Sequence, residues 1–232
     1  MKQSIISSRT RSVRTRPAWL AIAALLGVVS WPIGAVAEAA TATPTPVRAA
    51  VDASGPSQLI ETAANIMVQE IAARRAEFSK DPKKLYALVD DVLLPHFDVS
   101  HAARLVLGRH WQTATPEQRK RFVDAFYKSL LHNYGDALVD FTGDRIKVQP
   151  YKGDPAATTA SVRTTVKRSN GEPVPVNYSL RRTQDGWKAW DVVIEGISYV
   201  KSFREDFGSE IDQKGIDAVI QRLESQGAGK AA

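Results

Sequence analysis

Of the side chains able to do chemistry, this chain places His96, His101 and His110 in one short stretch, and Asp191 and Glu195 inside an apolar one. Three histidines suggest a metal site. Their separations of five and nine residues put no two ligands on one helical face, and no HExxH pair is present. Surface and capping roles are therefore favoured, and no metal is expected. A carboxylate in an apolar setting could act as a general base. Asp191 follows Trp190 within a strand pattern, and Glu195-Gly196 reads as a turn toward a helix. No histidine or second carboxylate is spaced to pair with either. A hydrogen-bonded strand carboxylate and a turn or helix-start residue are the favoured roles. There is no glycine-rich phosphate loop, no serine nucleophile elbow and no cysteine. Thiol chemistry, disulfides and a lipid-modified cysteine are thereby excluded.

The first residues concern destination. Lys2, Arg9, Arg11, Arg14 and Arg16 precede the apolar run "AWLAIAALLGVV" (18–29), and "AVA" (35–37) offers small residues for cleavage. That order predicts a secretory signal peptide over 1–37, too short in its apolar part to span a bilayer. No later stretch approaches a membrane helix, so no stable membrane insertion is expected. The whole chain carries 31 Lys+Arg against 25 Asp+Glu, and all five basic residues of 1–37 leave with that segment. The remaining 26 against 25 give no footprint for nucleic acid. Residues 38–56, rich in Ala, Thr and Pro, read as a disordered leader, and 226–232 as a flexible tail. A single domain over 57–225 remains.

Helical spacing runs from Ser57 to about Phe78, with Leu59/Ile60, Ala63/Ala64, Met67 and Ile71 on one stripe. Asp81-Pro82 starts a second helix that Pro95 interrupts, and Asp98 caps a short third that Gly108 ends. "TPEQ" (115–118) is a capping box opening a long helix, with Phe122, Phe126, Leu130, Tyr134 and Leu138 near one stripe and Thr142-Gly143 as its stop. The period then drops to two. Strands are predicted at Ile146–Val148, Ala160–Val166, Val174–Leu180 and from Trp187, with turns at "SNGE" (169–172) and "DG" (185–186). Two helices close the chain, at about 197–212 and 216–225. Helices, an antiparallel meander, then helices make an α+β fold.

In the fourth strand, strict alternation places Trp187, Ala189 and Val193 on one side and Trp190, Val192 and Ile194 on the other. Both faces are then apolar, which a strand with one wet face does not show. Aromatics at helical spacing are ordinarily core. The excess of apolar surface here, with no catalytic set beside it, suggests a cavity.

Two stretches, "LLPHFDVSHAARLVLGRHWQTATPEQRKRFVDAF" (93–126) and "WKAWDVVIEGISYVKSFREDFGSEIDQKGIDAVIQRL" (187–223), resemble the MlaC family of periplasmic phospholipid-binding proteins and its toluene-tolerance relatives. "LVLG" followed by "ATPEQR", then "EGIS" and "KGIDAVI", carry the likeness by their order and spacing over about 57–225. The resemblance implies N-terminal helices, a curved antiparallel sheet of four strands or slightly more, and C-terminal helices, enclosing an apolar pocket. It implies a monomeric, non-enzymatic periplasmic carrier whose ligand is a phospholipid and which needs no cofactor. Its partners would be an outer-membrane lipoprotein–porin complex and an inner-membrane ABC transporter with an MCE-domain subunit, and its role the maintenance of outer-membrane lipid asymmetry.

Under that resemblance the residues expected near acyl chains are Leu105, Leu107, Phe126, Leu130, Val162, Val176, Tyr178, Trp190, Val192 and Ile194. Ile197, Tyr199 and Val200 are expected to close the cavity. Exchanging a strand's faces would exchange its lining and core sets. No Arg/Lys cluster marks a headgroup site; Arg104, Arg109 and Lys201 are the candidate phosphate neighbours. The alternative is an enzyme on a cone-shaped α+β scaffold, with Asp191 or Glu195 as base toward a small hydrophobic substrate. Polar groups converging in the pocket would favour the enzyme, and an uninterrupted apolar cavity the carrier.

Overall fold

Proline at the first helical position and an extended Gly55 before it start helix α1 (Pro56–Lys80), which breaks helical geometry once, at Arg74. The computed structural model in which this is seen describes residues 50–135, 138, 146–167 and 170–228. The expected signal peptide (1–37), most of the expected leader and residues 229–232 lie outside the described residues. The end of the leader is not loose. Val51 and Ala53 pack against the core, and the Asp52 N–H donates to Thr62 Oγ1 at 3.0 Å.

Helix α2 (Pro82–Val92) is capped by Asp81, and a single 3₁₀ turn at Leu94–His96 absorbs Pro95. Asp98 caps α3 (Val99–Leu107), accepting from the His101 N–H at 2.9 Å. One turn, α4 (His110–Thr113), leads to α5 (Pro116–Tyr134), where both bonds of the Thr115/Gln118 capping box are made. The predicted stop of α5 at Thr142-Gly143 lies outside the described residues, and the helix ends earlier, at Gly135. Its N–H donates to Leu131 O at 2.8 Å, and the Tyr86 ring comes within 2.7 Å of where a side-chain carbon would sit.

The sheet is a five-stranded antiparallel meander in order β1 (Ile146–Val148), β2 (Thr159–Lys167), β3 (Pro173–Thr183), β4 (Gly186–Ile194), β5 (Ile197–Ser198). Helices α6 (Tyr199–Lys214) and α7 (Ile216–Ala228) close the chain.

The register corrects the strict alternation expected for β4. Leu180 pairs with Ala189, but Ser179 pairs with Asp191, so Trp190 is an extra residue, a β-bulge. After it the side chains exchange faces. Trp187, Ala189, Val192 and Ile194 share one face with Tyr178, Val176 and Leu180 of β3 and Val162, Thr164 and Val166 of β2. That face is apolar. The other carries Lys147, Ser161, Arg163, Thr165, Asn177, Ser179, Arg181 and Asp191, a mainly polar set interrupted by Pro175 and Val193. Two apolar faces on β4 result only if the bulge is ignored.

Three clusters form the core. α3, α5, α6 and α7 bury Val106, Leu107, Phe122, Phe126, Phe207 and Ile220 among one another, with Trp190 and Phe203 against them. The second half of α1 packs on α2 through Ile71, Phe78, Leu85 and Val92. Its first turns seal one end of the sheet's apolar face, where Leu59 and Ile60 meet Val162, Leu180, Trp187 and Ala189. Each such fully buried side chain contributes about 1.5–3 kcal/mol.

Candidate functional site

The bulge frees the Ala189 carbonyl to accept from outside the sheet, and the Asp98 N–H donates to it at 2.7 Å. The Asp98 carboxylate in turn accepts from Arg181 Nε at 2.7 Å. This dock brings α3 against β4, where the His101 and Trp190 rings meet edge to face with centroids 5.5 Å apart. Trp190 therefore belongs to the helical cluster.

Asp191, one residue on, is only 4% exposed. The Ser198 hydroxyl donates to its Oδ2 at 2.6 Å and the Val200 N–H to its Oδ1 at 3.0 Å. Ser198 also accepts from the Lys201 N–H at 3.1 Å, so the pair caps α6. Both carboxylate oxygens are thus engaged in holding the helix start. Glu195 is exposed at φ +52, and with Gly196 at φ +85 it turns β4 into β5 before the helix begins. Two positive-φ residues are what a tight right-twisted hairpin requires. The histidines do not converge: His96 follows α2, His101 lies on α3, and His110 sits 3.4 Å from Asp212 of α6. Among the described residues, no three His, Cys, Asp or Glu side chains group closely enough to hold a metal ion.

What remains is the apolar face itself. At the α1 end it is sealed: Leu180, Trp187 and Ala189 are buried. Toward the other end of the same face, Thr164, Val174 and Val176 are buried as well, while Tyr178 of β3 and Val192 and Ile194 of β4 keep accessible surface. Tyr178 lies deep in the molecule, deep enough that burial pushes its phenol pKa up, yet it is only half-buried. At the rim, Ile197 is 62% and Tyr134 46% exposed. Tyr134 contacts Tyr199, Tyr199 contacts Phe203, and Phe203 joins Phe126 and Phe207, an aromatic series from rim to helical core with centroids 5.5–6.0 Å apart.

The sequence-predicted residues divide accordingly. Val162, Val176, Tyr178, Val192 and Ile194 share the apolar face. Leu105, Leu107, Phe126, Leu130, Trp190 and Val200 belong to the helical cluster, Leu107 and Phe126 completely buried there. Ile197 and Tyr199 stand at the β4–α6 junction. Val174, two residues before Val176 on the same face, and Phe203, one turn after Tyr199, were not singled out. Strand and helix periodicity from their neighbours would have found both. Of the basic candidates, Arg109 ion-pairs with Asp212, whereas Arg104 and Lys201 are exposed.

Two surface clefts are also present. One of about 260 Å³ lies between α5, α6 and α7, with Leu130 and Phe203 beside Glu210 and Arg222. Another, about 330 Å³, lies by Asp98, Arg181 and Lys188. Both are polar in part and fall near or below the size of a drug-sized ligand site, so neither suits a long apolar ligand. The sheet face, not these clefts, has the chemistry for one.

The chain is similar to known proteins. The family profile described as MlaC protein matches residues 61–225. The toluene tolerance protein ttg2D of Pseudomonas putida is 29% identical over 168 residues, 72% of this chain and 78% of its own. The intermembrane phospholipid transport system binding protein MlaC of Haemophilus influenzae is 24% identical over 180 residues, 76% of this chain and 84% of its own. Among solved structures, the phospholipid-binding protein from Ralstonia solanacearum, in complex with a phospholipid, is similar with a TM-score of 0.68 at 27% identity. That similarity covers 79% of this chain and 100% of the other.

Proposed function

The chain belongs to the MlaC family, and we propose that it is a soluble phospholipid carrier that buries acyl chains along the open end of the sheet's apolar face. The observation that carries this reading is the half-sealed face. α1 covers Leu180, Trp187 and Ala189, while Tyr178, Val192 and Ile194 on the same face keep accessible surface. A lipid with two chains of roughly fifteen methylenes is held in a bilayer by about 20–25 kcal/mol, at about 0.8 kcal/mol per methylene. A carrier must offer comparable apolar area and needs no chemistry. Val176, Tyr178, Val192 and Ile194 form the wall against the tails, Ile197 and Tyr199 close the mouth, and Leu105, Leu130, Trp190 and Val200 back the wall from the helical side.

The carrier works in the periplasm as a monomer. It receives and delivers phospholipid between an outer-membrane lipoprotein–porin complex and an inner-membrane ABC transporter with an MCE-domain subunit, and so maintains outer-membrane lipid asymmetry. Likeness to a protein named for intermembrane phospholipid transport supports that assignment. Because the bound lipid is held as strongly as in a bilayer, handover requires a partner that opens the mouth. The sequence has no obvious Arg/Lys cluster marking a headgroup site, which fits loose headgroup selectivity.

The test is native mass spectrometry of the exported protein purified without detergent, with lipid analysis of an organic extract. A stoichiometric adduct that resolves into phospholipid is expected. Ligand-free protein that also refuses added phospholipid would overturn the reading.

A further inference from the structure

On the apolar face, most polar side-chain atoms are accounted for. The Thr164 hydroxyl donates to Val176 O at 2.8 Å. The Arg182 guanidinium, at the sealed end, lies over the Trp187 ring at 5.0 Å from its centroid. Among the described residues the Trp187 indole N–H has no partner, but it is shut in at 2% exposure. Tyr178 differs from all three. It stands mid-face between Val162 on β2 and Val192 on β4, and its ring packs against the cluster around Leu59 and Leu180. It is half-buried, and among the described residues its hydroxyl makes no hydrogen bond. Burial raises its pKa, so the phenol stays protonated and remains a donor. Phenylalanine would fill the same space, so what the tyrosine adds is an O–H donor on an otherwise apolar part of the face, with accessible surface through which an acceptor can approach.

Resting on the carrier reading, we propose that the Tyr178 hydroxyl is the polar recognition point of the pocket, donating a hydrogen bond to an ester carbonyl oxygen of the bound lipid. Acyl methylenes offer no acceptor. The phosphate oxygens are charged and stay with solvent, where their hydration is not lost. The ester carbonyl is the neutral acceptor at the head of each chain, and a neutral donor within an apolar lining matches it. A site built around such a bond discriminates against the analogue that lacks the acceptor.

The test is a competition between a diester phosphatidylethanolamine and its diether analogue, with equal chains and headgroup. Equal amounts are offered to the lipid-depleted protein and the two adducts are read by native mass spectrometry. The wild-type protein is expected to favour the diester about five- to tenfold, the value of one hydrogen bond. Tyr178→Phe is expected to bring the ratio to about one by losing the diester alone. Equal adducts on the wild type overturn the proposal and leave the carrier intact, and this arm does not depend on the variant folding. A diester preference that survives in Tyr178→Phe also overturns it. The absence of any adduct overturns both the proposal and the carrier reading.

Discussion

Asp191 is the residue whose environment most clearly separates structure from catalysis. Its carboxylate lies in an apolar setting of the kind a general base uses, but both oxygens accept bonds from the start of α6. Replacing it by alanine leaves the Ser198 hydroxyl and the buried Val200 N–H unmet. Asp191→Ala is expected to lower stability by about 2–3 kcal/mol, and Asp191→Asn by less, because the amide oxygen still accepts one bond. Equilibrium urea denaturation of the two variants measures this; equal, negligible losses would contradict the capping role. The sequence allowed the favoured reading of a bonded carboxylate, because no partner base was spaced to pair with it. It did not name Ser198 and Val200, since which donors meet a side chain nine residues away depends on how β5 and α6 fold back.

At the scale of elements, helix starts were legible because caps are local chemistry: Asp81, Asp98 and the Thr115/Gln118 box all form as their spacing predicts. Two features were not. At Gly135, where α5 ends, the Tyr86 ring of α2 leaves no space for a side chain, a contact between elements that periodicity does not contain. Gly135→Ala is expected to cost about 1–3 kcal/mol through overpacking, measured by thermal denaturation; an unchanged midpoint would contradict it. The bulge at Trp190 escapes any strict count by two, and it exchanges the faces of every residue after it.

The Asp98 carboxylate, beside the bulge, carries a pH dependence through His101 and Arg181. Burial alone would raise the Asp98 pKa, but the bonds from the His101 N–H and Arg181, with the Arg181 charge, hold it below its ordinary value of 3.8. A carboxyl lowered on folding contributes stability that is fully present above its unfolded pKa and is lost as pH falls through its folded one. The advantage of the wild type over Asp98→Asn should therefore be full at about pH 6 and shrink progressively below about pH 4. Denaturant midpoints across that range check the sign; an advantage that grows with acid would contradict the dock.

At the scale of the whole molecule, the sequence carried the fold class and the family resemblance, and the family profile matches residues 61–225. It did not carry which apolar residues face a partner helix and which face open space, because both look alike in a hydrophobic pattern. Leu107 and Phe126 lie in the filled helical core, whereas Val192 and Ile194 lie on the accessible part of the sheet face. The central claim is that acyl chains lie against that part of the face. The most direct measurement is methyl NMR of the protein loaded with a phospholipid spin-labelled near the end of one acyl chain. Resonances of Val176, Val192 and Ile194 should broaden strongly, while those of Ile71 and Leu88, in the α1–α2 cluster, stay sharp. Uniform broadening, or broadening confined to the α1–α2 cluster, would contradict the account.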